Sequence, residues 1–159
     1  MARRQASPDI AAFVKDLRKL EGGREIVKKL TKEIRTEARP ALKAVRQKIM
    51  VMPSKGENAR RGRPSLRRTV SRATIMSVRS GRAATITIKT DPKKMPSGLK
   101  GIPPYIEGEG RHRHPTFGHE PWVNQPPVPF FYGTLRPHEP RVQAAGGRVI
   151  TEIKKELEG

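Results

Sequence analysis

Ile26, Val27, Leu30, Ile34, Ala38, Leu42, Val45 and Ile49 recur at spacings of mostly three and four residues. That rhythm predicts one long amphipathic helix from Arg24 to about Met52. Between the apolar positions lie Lys28, Lys29, Lys32, Arg35, Lys43, Arg46 and Lys48, so the polar face is almost wholly cationic. Pro40 interrupts the pattern. Proline lacks a backbone donor and crowds the preceding turn, so a kink or a break into two helices is expected there. Pro53 ends the run. A shorter stripe of Ile10, Phe13, Val14, Leu17 and Leu20 predicts an earlier helix, with Ser7 as N-cap and Gly22–Gly23 as its stop. Near the other end Val142, Ala145, Val149, Ile150, Ile153 and Leu157 share one face, which predicts a C-terminal helix. Gly146 and Gly147 weaken its first half by about 1 kcal/mol each relative to alanine.

The middle of the chain changes period. Residues 70–79 and 82–90 are rich in β-branched residues, and the second alternates, with Ala84, Ile86 and Ile88 on one face. Ser80-Gly81 between them supplies a turn, so a β-hairpin is expected. Residues 53–64 and 91–104 carry glycine, proline and charge and predict loops. Residues 105–108, "YIEG", predict a short edge strand, and the prolines of 109–128 predict irregular chain. The order is helix, long helix, hairpin, irregular segment, helix. It predicts an α+β fold in which long N-terminal helices and a C-terminal helix pack on a small antiparallel β-sheet. Residues 1–23 read as an N-terminal helical arm and 24–159 as one domain.

Composition makes this core thin. Of 159 residues 34% are hydrophobic and 4% aromatic, which points to extended helices, flexible arms or burial against partner subunits. There is no cysteine, so disulfides and thiolate metal sites are excluded. No apolar run approaches the roughly 20 residues of a membrane span, and the first residues lack the apolar centre of a secretory signal. A soluble protein made inside the cell is expected. The net charge of +19 is concentrated early: residues 1–69 hold 20 basic and 7 acidic residues, against 7 and 5 in residues 111–159. Such an excess points to a polyanionic neighbour, either nucleic acid or an acidic protein surface, with a well-solvated helix face as the plainer alternative. Five arginines in nine residues (Arg60, Arg61, Arg63, Arg67 and Arg68) are the sharpest part of it, and they are expected to face that polyanion.

Catalytic patterns do not stand out. No phosphate-binding glycine loop, nucleophile elbow or paired carboxylate cluster is present, so no catalysis and no cofactor are expected. His112, His114 and His119 could chelate a metal in an extended segment, with Glu120 nearby. Arg111 and Arg113 flank the pair and disfavour a dication, so no metal is expected. The cationic half contains Phe13 as its one aromatic, which argues against base stacking and leaves phosphate-backbone contact.

The order of motifs resembles the tail-completion or neck proteins of long-tailed bacteriophages. The likeness covers roughly residues 24–159. It rests on Gly62, Ser65, Leu66 and Thr69 after the long helix, then Tyr105, Glu107 and Gly108 after the hairpin, with altered spacing. Arg113, His114, Pro115 and Gly118 follow as "RHP-x-x-G", and Pro129-Phe130 precedes the last helix. The resemblance implies a structural virion protein that joins the head connector to the tail tube around the DNA channel. It implies assembly in the bacterial cytoplasm and a homo-oligomeric ring, a hexamer matching a six-fold tail tube. It implies contacts with the adjacent head-connector or head-closure ring and with tail-terminator or tail-tube proteins, non-specific proximity to genomic DNA, and no membrane. Tyr105, Glu107, Arg113, His114, Pro115, Phe117, Gly118 and Phe130 would serve as subunit-interface or loop-anchoring residues. Two rivals are a basic nucleic-acid-binding structural protein of ribosomal or DNA-packaging type, and a head-closure or tail-terminator protein of the same neck.

Overall fold

The computed structural model describes residues 15–16, 19, 22–53, 64–80, 84–109, 112–116 and 119–158. The architecture is α+β, as the periodicities predict. Helix α1 spans Gly23–Val51 and α2 Leu66–Ala73. Strands β1, Thr74–Ser80, and β2, Ala84–Thr90, follow. After two 3₁₀ turns, Pro92–Lys94 and Ser97–Leu99, come α3, Ile102–Glu107, and strands β3, His112–Thr116, and β4, His119–Gln125. The short α4, Tyr132–Leu135, and the long α5, Glu139–Glu158, complete the chain. The strands form two separate two-stranded sheets, β1 with β2 and β3 with β4. The described residues fall into two compact units, one drawn from Met1–Pro40, Met76–Ile88 and His138–Gly159, the other from Ala41–Ile75 and Lys89–Pro137.

In the first unit Val27, Leu30 and Ile34 of α1 meet Val149 and Ile153 of α5, with Ile26, Val78 and Ile86 packed around them. Leu30 and Ile153 are fully buried, and burial of each stabilises the unit by about 1.5–3 kcal/mol. The two helices carry matching apolar stripes, so each covers what the other would expose. Arg141 of α5 pairs with Glu37 of α1 at 2.7 Å on the rim of this contact.

The second unit packs Val45 and Ile49 of α1 on Val70 and Ala73 of α2, Met95 and Phe130. Thr74, at the junction of α2 and β1, is a buried polar residue whose groups are all engaged. Its hydroxyl donates to the Val70 carbonyl at 2.9 Å and lies 3.3 Å from the Thr90 hydroxyl. Its carbonyl accepts Arg46 Nε at 3.1 Å and Nη2 at 2.8 Å. Burying a peptide carbonyl is cheap only when it is bonded, and the guanidinium fork supplies two donors at once.

Several segments depart from the expectations above. Of the kink or break expected at Pro40, the break is absent: one helix runs from Gly23 to Val51 with the proline inside it. Proline leaves the carbonyl four residues back, that of Thr36, without its intrahelical donor. Thr36 itself is exposed. Residues 70–73, expected to open the hairpin, are the end of α2. Ser65 caps this helix by accepting the Arg68 N–H at 3.3 Å, and Leu66, Val70 and Ala73 have helical spacing. The expected edge strand at 105–108 is α3 and its cap: prolines sit in the first turn, and Gly108 closes it at φ 105°, a conformation suited to glycine.

The irregular chain expected at 109–128 is mostly the β3–β4 hairpin, paired antiparallel with His112 opposite Gln125, His114 opposite Val123 and Pro115 opposite Trp122. The register shifts between Pro115 and Thr116. In a two-stranded sheet every strand is an edge, so a proline can turn its missing donor outward, and Pro115 and Pro121 are tolerated. Among the described residues of that stretch, Glu109 and residues 126–128 lie outside the two strands. The helix expected between Ser7 and Leu20 lies almost wholly outside the described residues.

Candidate functional site

Glu107 is the last residue of α3, where Gly108 turns the chain away. Its carboxylate reaches across to the segment entering α4. Oε2 accepts the N–H of Phe130 at 2.9 Å and of Phe131 at 3.0 Å, and Oε1 accepts that of Tyr132 at 3.2 Å. The first amides of a helix have no intrahelical partner, and here a carboxylate from another helix satisfies those of the N-cap Phe131 and of Tyr132, together with the preceding amide of Phe130. The clamp is reinforced by the Val128 N–H, which donates to the Ile106 carbonyl at 2.9 Å. Held in this way, Phe130 enters the core of the second unit at 3% exposure. Phe131 meets Phe130 edge-on at 6.1 Å and Tyr132 meets Phe131 edge-on at 5.7 Å, while the Tyr132 side remains half exposed.

The arginine cluster divides. Arg67 is turned inward, where Nη1 donates to the Met52 carbonyl at 2.8 Å and more weakly to that of Met50 at 3.3 Å. It therefore caps the C-terminus of α1, where cations and donors are favoured. Arg68 is exposed on α2. Arg60, Arg61 and Arg63 lie outside the described residues, as do Phe117 and Gly118. The structure places Arg113, His114 and Pro115 consecutively in β3, opposite Asn124, Val123 and Trp122. Tyr105 lies on α3, two residues before Glu107, at 40% exposure, and Trp122 of β4 is 48% exposed.

Of the residues singled out from the sequence, Glu107 and Phe130 are brought together, and Tyr105 shares α3 with Glu107. The capping role of Arg67 is invisible in a run of arginines, since Arg68 stands in the same first turn of α2 and is exposed. Among the described residues no group of three or more His, Asp or Glu side chains is arranged to hold a metal ion. Among the same residues no helix is long and apolar enough to cross a membrane. Comparison of the chain with family models, curated proteins and solved structures gives no match.

Proposed function

We propose that this chain is a structural protein of the neck of a long-tailed bacteriophage, joining the head connector to the tail tube around the path of the DNA. The observation that carries the reading is the Glu107 clamp. Two elements on which the sequence resemblance rests, Tyr105–Gly108 and Pro129–Phe130, stand more than twenty residues apart in the chain. The carboxylate of one fixes the backbone of the other. Motif positions that serve one packing unit are what a fold-defining signature requires.

In this reading the protein performs no catalysis, needs no cofactor and acts in the virion neck as a ring, six copies matching a six-fold tube. The ring contacts a head-connector or head-closure layer on one side and tail-terminator or tube proteins on the other. A ring needs one heterologous contact repeated until it closes. The outer edge of the β3–β4 hairpin suits that contact, because an unpaired edge is a hazard that a neighbouring copy removes. Phe130 serves inside its own subunit as an anchor.

Deleting the coding sequence is expected to leave filled heads and full-length tails side by side and unjoined, as counted by electron microscopy of the lysate. Joined particles in normal number, or heads that fail to fill, would refute the reading.

A further inference from the structure

We infer that one face of α1 binds the phosphate backbone of duplex nucleic acid. An α-helix turns about 100° per residue. With that geometry Arg24, Lys28, Lys32, Arg35 and Arg39 fall within an arc of about 80°, and no other residue between 24 and 39 enters it. All five are exposed. Successive members stand three or four residues apart, so the stripe is a nearly straight line about 22 Å long at 1.5 Å per residue. Duplex DNA of that length carries about 13 phosphates.

The acidic residues of the same segment are set apart from this line. Glu33 and Glu37 lie on the other side of the helix, and Glu37 is taken by Arg141. Glu25 borders the stripe and pairs with Lys28 at 2.5 Å. That pair is exposed at both ends, so it is weak enough for a phosphate to displace. Among the described residues no carboxylate pairs with Arg24, Lys32, Arg35 or Arg39. The apolar positions Val27, Leu30 and Ile34 are buried on a different face. Folding thus leaves a line of like charges together on the surface, which costs self-repulsion that a polyanion would relieve.

The chemistry favours nucleic acid over an acidic protein. Protein interfaces are built on aromatic and apolar anchors and are depleted in lysine, and this arc has no apolar member. It has no aromatic either, so it offers no platform for the stacked bases of a single strand. Backbone contact without base readout is left, with the salt dependence that counterion release imposes. The surface belongs to α1 and uses none of the arginines of residues 60–68. It requires no ring, so its failure leaves the neck reading standing, and the reverse also holds.

The test is fluorescence anisotropy of the full chain with a short labelled duplex of mixed sequence, between about 50 and 200 mM salt. The variant K32Q/R35Q/R39Q is compared with K93Q/K94Q/K100Q, which removes the same charge from exposed positions in another part of the chain. Neutralising the stripe is expected to lower the salt slope by about 2.7, at 0.9 per lost contact, and to weaken binding more than about tenfold at the lower salt. The control variant should stay within about threefold of the parent. R35K/R39K keeps the charge and should bind as the parent does, which separates lost contacts from lost fold. A duplex competitor should displace the label at concentrations where polyglutamate does not. Equal losses in the two triple variants, equal displacement by polyglutamate, or no duplex binding at the lower salt would each overturn the assignment.

Discussion

Phe130→Ala is expected to destabilise the unit built on Val45, Ile49, Val70 and Met95 by about 3–5 kcal/mol, the range for deleting a buried aromatic ring. The ring is 3% exposed and closes the space between α1, α2 and Met95, so its removal leaves a cavity that two helices would have to collapse into. The chain contains one tryptophan, Trp122, and it belongs to this unit, so its fluorescence during denaturation reads the affected part directly. Phe130→Leu should recover most of the loss, since it refills the volume with apolar atoms. Tyr132→Ala removes a ring that is half exposed and should cost much less. If the Phe130 and Tyr132 variants shift the midpoint equally, Phe130 is not the anchor described here.

Glu107→Ala is expected to cost about 2–4 kcal/mol. The carboxylate accepts three backbone donors, and the Phe130 and Phe131 amides lie beside buried or half-buried rings where solvent replaces the lost acceptor poorly. Each donor left without a partner costs about 1–3 kcal/mol. Tyr132 is exposed, and its amide should cost little. Glu107→Gln keeps an acceptor oxygen but loses the charge that strengthens these bonds, so it should fall between the parent and alanine. Hydrogen exchange gives the site-specific readout: the Phe130 and Phe131 amides should be protected in the parent and exchange faster in both variants. A change below about 0.5 kcal/mol with unaltered exchange would mean that the clamp carries no stability.

The clamp also marks how far the sequence could be read. The long helices were legible because each presents a single apolar stripe over many turns, and α1 and α5 meet along those stripes. Of the kink or break expected at Pro40 the break is absent: one proline removes one hydrogen bond, and α1 continues through it with Ala38 and Ala41 buried on either side. Short elements were harder. The residues "VSRA" carry a β-branched start and were read as strand, yet Ser65 had already opened a helix three residues before Arg68. The "IPPYIEG" segment holds both helix signals, proline in the first turn and glycine past the last, but is too short for its period to show. Proline density hid the β3–β4 hairpin, since the rule against proline in sheets applies to central strands and this sheet has none. At the candidate site, Glu107 and Phe130 were singled out by resemblance alone. That one carboxylate bonds three amides of a distant segment is a tertiary fact, and no local pattern encodes it. The inward turn of Arg67 was missed for the same reason, because its partners are carbonyls, which no side-chain pattern reveals.

Add-back of the purified protein tests the proposed joining of heads to tails. Extracts from deletion-mutant infections supply filled heads and finished tails, and the chain alone is added. Joined particles are expected by electron microscopy, with a rise in infectious titre that saturates with added protein and with Glu107→Ala requiring more protein for the same effect. Heads and tails that stay apart at every concentration, or that join equally well without the chain, would contradict it.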